Sequence, residues 1–153
     1  MNVGMQTPER DRFLEQAARA LESISVSSSV ADATPKEWNA RMGAALRRCA
    51  LDGHRTVALF GAGTHTKALG ETLREPPVRI ACIIDDGARD GQSLWGYPVF
   101  RVEVALGLPV DAVILSGNSV EALLWERAQP FRDRRVPVIR LYTPTPEPAM
   151  AAA

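Results

Sequence analysis

Apolar and polar positions follow two different rhythms along this chain. Before residue 54 the rhythm is helical. Phe13, Leu14, Ala17, Leu21 and Ile24 recur at helical spacing behind Thr7-Pro8-Glu9, an N-cap with proline at the first helical position, which predicts a helix running to about residue 24. Ser25 to Ala33, with Ser27-Ser28-Ser29 inside it, is a serine-rich break. Thr34-Pro35-Lys36-Glu37 then reads as a capping box, with Glu37 placed to bond back to the N-cap. The stripe of the second helix is Trp38, Met42, Ala45, Leu46 and Cys49, and Gly53 supplies its stop.

From Arg55 the texture changes to short apolar runs separated by helical patterns. The runs predict strands near 56–60, 79–84, 97–100, 111–115 and 136–142. A helix is expected near 64–74, a short one near 101–106, and a third after Ser119 with Val120, Leu123 and Leu124 on one face. Pro76-Pro77 is a hard stop before the second strand, and Pro98 suits an edge strand better than a central one. Thr143 to Ala153, rich in proline and alanine, reads as a disordered tail. The expected organisation is a helical segment over 1–53, a sheet domain over 54–143 and a tail over 144–153. Right-handed crossovers place about five parallel strands in the order 3-2-1-4-5, a small Rossmann-like α/β fold.

In that topology the carboxyl ends of the first and fourth strands flank one crevice. Val57-Ala58-Leu59-Phe60 runs into Gly61-Ala62-Gly63-Thr64-His65-Thr66-Lys67, a strand, a glycine turn and a helix start. Gly61 and Gly63 lack Cβ atoms and permit close approach of a ligand, and the first N–H groups of the following helix attract phosphate. The glycine pattern of dinucleotide sites is met in part, since Thr66 occupies the third glycine position. Asp85 and Asp86 close the second strand, and Asp85 follows Gly61 by 24 positions, close to the spacing of about 20 at which an acid bonds a ribose hydroxyl. Ser116 and Asn118 lie at the end of the fourth strand, where they face the same crevice or, with Ser119, cap the next helix. His65, at a helix start, is expected to be neutral because of the dipole. No nearby nucleophile or carboxylate is specified for it, so no catalytic residue is assigned.

The chain has 153 residues, enough for one ordinary domain and an appendage. Its 18 Lys and Arg balance 18 Asp and Glu. Arg47-Arg48 and Arg132-Asp133-Arg134-Arg135 are short clusters, so nucleic acid is not an expected partner. Cys49 and Cys82 fall in apolar faces without C-x-x-C spacing and read as buried thiols in a reducing compartment. Two histidines give no clustered metal set. The N-terminus lacks an apolar leader, and no stretch approaches the roughly 18 apolar residues of a membrane span. A cytoplasmic protein is expected. The apolar faces of the two N-terminal helices call for a partner, either the sheet domain or a second copy of the chain in a homodimer.

The order Gly61-Ala62-Gly63-Thr64-His65-Thr66-Lys67, Ile83-Ile84-Asp85-Asp86 and Gly91-Gln92-Ser93-Leu94-Trp95-Gly96-Tyr97-Pro98-Val99 resembles the N-terminal domain of bacterial sugar O- and N-acyltransferases. A similar pattern occurs in the C-terminal Rossmann-like domain of some sugar C-methyltransferases. The resemblance covers roughly residues 55–142. It implies a nucleotide-sugar ligand, with Gly61, Gly63, Thr64, His65, Thr66 and Lys67 at its phosphates and Asp85 with Asp86 near the ribose or base. Thr64 stands where that family commonly has glycine. The family's catalytic β-helix, with its hexapeptide repeats, has no counterpart in this sequence, so no catalytic role carries over. The expectation is a non-catalytic or partner-dependent nucleotide-binding module. The alternative is a degenerate Rossmann scaffold for protein interaction or oligomerisation. An NAD(P)-dependent enzyme fits less well, for want of a substrate domain. A methyltransferase fits poorly, because Ala58, Leu59 and Phe60 leave no acid before the glycines.

Overall fold

Thr34 opens α1 (Pro35–Leu51) with the expected capping box: its hydroxyl accepts the Glu37 N–H at 3.3 Å, and Glu37 Oε1 accepts the Thr34 N–H at 3.0 Å. The computed structural model describes residues 34–143. The helix expected up to residue 24 and the tail from 144 lie outside the described residues. Met42, Leu46 and Cys49 are buried along α1, with Trp38 and Ala45 packed beside them. Gly53, at φ +86°, takes the chain out of the helix in the left-handed conformation that glycine tolerates.

Twelve elements are described. After α1 come β1 (Thr56–Phe60), α2 (Thr64–Lys67), α3 (Gly70–Arg74), β2 (Arg79–Ile84), β3 (Ser93–Leu94), β4 (Tyr97–Phe100) and α4 (Val102–Ala105). The chain continues through β5 (Ala112–Leu115), α5 (Glu121–Arg127), α6 (Gln129–Asp133) and β6 (Val138–Ile139). The strands form one sheet in the order β3-β4-β2-β1-β5-β6. All pairings are parallel except that of β3 with β4. The molecule is thus a mixed α/β fold with a mostly parallel sheet. The sheet has one strand more than the five expected, and its order differs accordingly. Ser93-Leu94 folds back antiparallel on Tyr97-Pro98 across Trp95-Gly96, adding a hairpin strand at the edge beside Pro98.

Side-chain alternation along the strands separates two apolar layers. Val57, Leu59, Ile83 and Ile114 pack with α1 residues Met42, Leu46 and Cys49 and with Leu69 and Leu73. Ala58, Phe60, Ile84 and Leu115 face the other way, onto Ala105, Leu124, Ala128 and Phe131 of the opposite helices. Helix α1 therefore completes one face of the sheet, within a compact unit that begins at Thr34.

Two elements depart from the expected pattern for reasons that come from elsewhere in the chain. The helix expected over 64–74 is broken at Ala68-Leu69. The Trp95 indole N–H donates to Thr66 O at 2.9 Å, and Asn39 Nδ2 donates to Ala68 O at 2.9 Å, so side chains take carbonyls that a continuous helix would use. The Trp95 ring also lies against Gly70, where a Cβ would come within 2.7 Å of it. The last strand, expected over 136–142, is only β6 because the Leu141 and Tyr142 N–H groups donate to Glu121 Oε2, at 2.7 and 2.9 Å, and not to a neighbouring strand.

Candidate functional site

The loop between β1 and α2 is built by close contact of strand ends. The Gly61 N–H donates to Ile84 O at 2.7 Å, extending the β1–β2 ladder by one residue. Gly61 sits at φ +122°, and a Cβ there would lie 2.7 Å from Ser116 O. Its glycine is required by the neighbouring backbone at the end of β5, a reason different from the ligand approach expected of it. Gly63 is the opposite case: nothing lies within 4 Å of where its Cβ would be. The backbone at Gly63 is open. The Lys67 N–H donates to Gly63 O at 2.9 Å and closes the first helical turn, so the N–H groups just before it have no partner within the helix. Thr64 and Lys67 are exposed.

His65 and Thr66 turn inward from the same short helix. His65 is 4% exposed, and its Nδ1 lies 3.1 Å from Ser116 Oγ while its Nε2 lies 2.6 Å from the Tyr142 hydroxyl. Thr66 Oγ1 donates to Gly61 O at 2.5 Å and lies 2.6 Å from Ser116 Oγ. Each hydroxyl carries a single hydrogen, and this assigns the donors. With the Thr66 hydrogen on Gly61 O, Ser116 donates to Thr66. Ser116 then accepts from Nδ1–H of a neutral imidazole, and Nε2 accepts from Tyr142. The result is one unbroken chain of donors from Tyr142 to the Gly61 carbonyl, and every member of it is satisfied.

Packing holds this chain in place. The Trp38 ring lies over His65 with centroids 5.0 Å apart, and Tyr142 meets it edge-on at 5.6 Å. Arg41 covers the Tyr142 ring at 4.9 Å and donates to Leu141 O at 2.9 Å. Burial pushes the His65 imidazole down to about 4, and also raises the Tyr142 hydroxyl. Burial is what holds the histidine neutral. With both ring nitrogens engaged, it presents no free nitrogen to a ligand.

The remaining candidates divide in the same way. Asp85 is half-buried and accepts the Gly87 N–H at 3.1 Å in a local turn. Asp86 is exposed and paired with Arg127. Ser116 is buried in the network, and Asn118 is half-buried beside it. Gly61, His65, Thr66 and Ser116 are therefore joined into the frame of the loop. Gly63, Thr64 and Lys67 form its open face, with Asp85 at the end of the adjoining strand.

A comparison with protein-family models finds no match, and comparisons with curated proteins and with solved structures find none either.

Four residues of the frame were not among the expected site residues: Trp38, Arg41, Glu121 and Tyr142. Trp38 carried a signal as part of the α1 stripe. Glu121 carried none, since a buried carboxylate at a helix start looks like any first-turn acid. Burial raises the thiols of Cys49 and Cys82 to about 11, which keeps both protonated. Among the described residues no group of three or more His, Cys, Asp or Glu is arranged to hold a metal ion, and no helix is long and apolar enough to cross a membrane.

Proposed function

We propose that this chain is a non-catalytic or partner-dependent nucleotide-binding module that takes a nucleotide, a nucleotide-sugar first among the candidates, at the Gly61–Lys67 loop. The observation that carries the reading is the open backbone at Gly63, beyond the carboxyl end of a central parallel strand and just before exposed Thr64 and Lys67. Phosphate oxygens fit such a place, because the first N–H groups of α2 have no partner within the helix and no side chain stands where a Gly63 Cβ would be. The network of His65, Thr66, Ser116 and Tyr142 supports the reading by holding the loop in one conformation before a ligand arrives, which lowers the ordering cost of binding. Asp85 on the neighbouring strand is the acceptor for a ribose hydroxyl. His65 is a positioning residue here, without contact to the ligand. The choice of a nucleotide-sugar rests on the sequence resemblance.

Thermal-shift measurements test this with UDP-, dTDP- and GDP-sugars, NAD(H), NADP(H), coenzyme A and S-adenosylmethionine. A ligand at 100 times its dissociation constant stabilises the native state by about 2.7 kcal/mol. The expected result is a shift with one nucleotide class that Gly63→Asp abolishes. No shift with any of the compounds at millimolar concentration contradicts the proposal.

One observation favours a second reading, the interaction scaffold. Four of the residues expected to contact ligand bond instead to one another, as in a fold whose crevice has closed. Under that reading the protein is indifferent to Gly63→Asp and to every compound in the panel.

A further inference from the structure

The amino ends of the central strands, opposite the loop, open onto a cavity of about 740 Å³, within the roughly 300–1,000 Å³ of small-molecule sites. Its walls differ in chemistry. Pro76, Pro77 and Tyr97 form an apolar side, and His54, Arg55 and Arg79 a basic one. Both arginines stand where β1 and β2 begin: the Arg79 N–H donates to Arg55 O at 3.0 Å, and Arg79 pairs in register with Thr56. The apolar wall is rigid: two proline rings follow one another, and the Tyr97 hydroxyl donates to Leu73 O at 2.6 Å.

No carboxylate lines this cavity. Asp111, whose charge acts on His54 and Arg55, accepts the backbone N–H groups of Arg55 and Thr56 with one oxygen, at 2.8 and 3.0 Å. Neither the Arg55 nor the Arg79 guanidinium forms an ion pair or hydrogen bond among the described residues. An organic anion at the basic wall gains charge-assisted N–H donors from guanidinium groups that no carboxylate of the cavity lining neutralises.

We propose that this cavity is a second site, for a small organic anion, a carboxylate or phosphate ester. Its charged end lies at the basic wall of His54, Arg55 and Arg79, and its apolar body lies on Pro76, Pro77 and Tyr97. The site is separate from the Gly61–Lys67 loop and does not depend on what that loop binds.

The test is an amide NMR titration of the full chain with phenyl phosphate, benzoate and inorganic phosphate in parallel. The expected result is saturable shifts at Arg55, Arg79 and Tyr97 with an aromatic anion, tighter than with inorganic phosphate. Whether phenyl phosphate or benzoate binds more tightly tells the phosphate source from the carboxylate source. Binding weakens about tenfold or more in Arg55→Gln/Arg79→Gln, two exposed positions whose loss leaves the core intact, and is unchanged in Arg89→Gln. Linear, unsaturated shifts overturn the proposal. So does equal affinity in the double variant, equal affinity for inorganic phosphate and phenyl phosphate, or saturation confined to the amides around Gly63.

Discussion

His65 lies at the centre of the candidate site, and its protonation ties the loop to pH. In the unfolded chain the imidazole takes up a proton near its ordinary value of 6.5, whereas in the folded chain it does so only near 4. Below pH 6.5 the unfolded state therefore binds more protons, so stability falls as the pH drops from 6.5 towards 4 and does not depend on this group above 6.5. Urea midpoints measured across that interval are expected to show the fall in the natural protein and a flatter profile in His65→Gln. An equal slope in both would contradict the network. The two loop glycines give a second contrast. Gly61→Ala combines a positive φ with a backbone clash and is expected to cost at least roughly 1–3 kcal/mol, whereas Gly63→Ala stays within about 0.5 kcal/mol of the natural protein. Denaturant melts of the two variants separate them. The glycine turn was legible in the sequence, but the different reasons for its two glycines were not, because Ser116 O meets Gly61 across 55 positions of chain.

At the scale of elements, long-range side-chain capture accounts for where the pattern ran true and where it stopped. The apolar runs at 56–60, 79–84 and 97–100 became β1, β2 and β4, and the Thr34–Glu37 box capped α1, since each signal is local. The break between α2 and α3 depends on Trp95 and Asn39, and the shortened β6 depends on Glu121. None of these dependences leaves a periodic trace. Glu121 is the pin of the last segment: Arg140 lies 3.7 Å from its other oxygen, and its Oε2 holds two backbone donors. Glu121→Ala is expected to cost up to about 1–3 kcal/mol for each stranded N–H and to speed hydrogen exchange at Leu141 and Tyr142 before that of the β2 amides. Exchange rising uniformly through the sheet would show instead that Glu121 acts on the whole fold.

Over the whole molecule, α1 is part of the sheet's own core. Met42 and Leu46 are fully buried, and burial of such side chains contributes roughly 1.5–3 kcal/mol each against a typical total stability of about 5–15 kcal/mol. A chain cut to residues 54–143 is therefore expected to lose cooperative unfolding in circular dichroism, and one cut to 34–143 to keep it. The same architecture gives the molecule two ends of different character, an open glycine turn at the carboxyl edge of the sheet and a basic cavity at the amino edge. The functional account turns on the first. Its most direct test is an amide NMR titration with the nucleotide-sugar that gives the largest thermal shift. The account predicts saturable changes strongest at Gly63, Thr64 and Lys67, with Asp85 responding and the His65 ring still neutral. Changes absent from that loop, or saturation unaltered in Gly63→Asp, would contradict it.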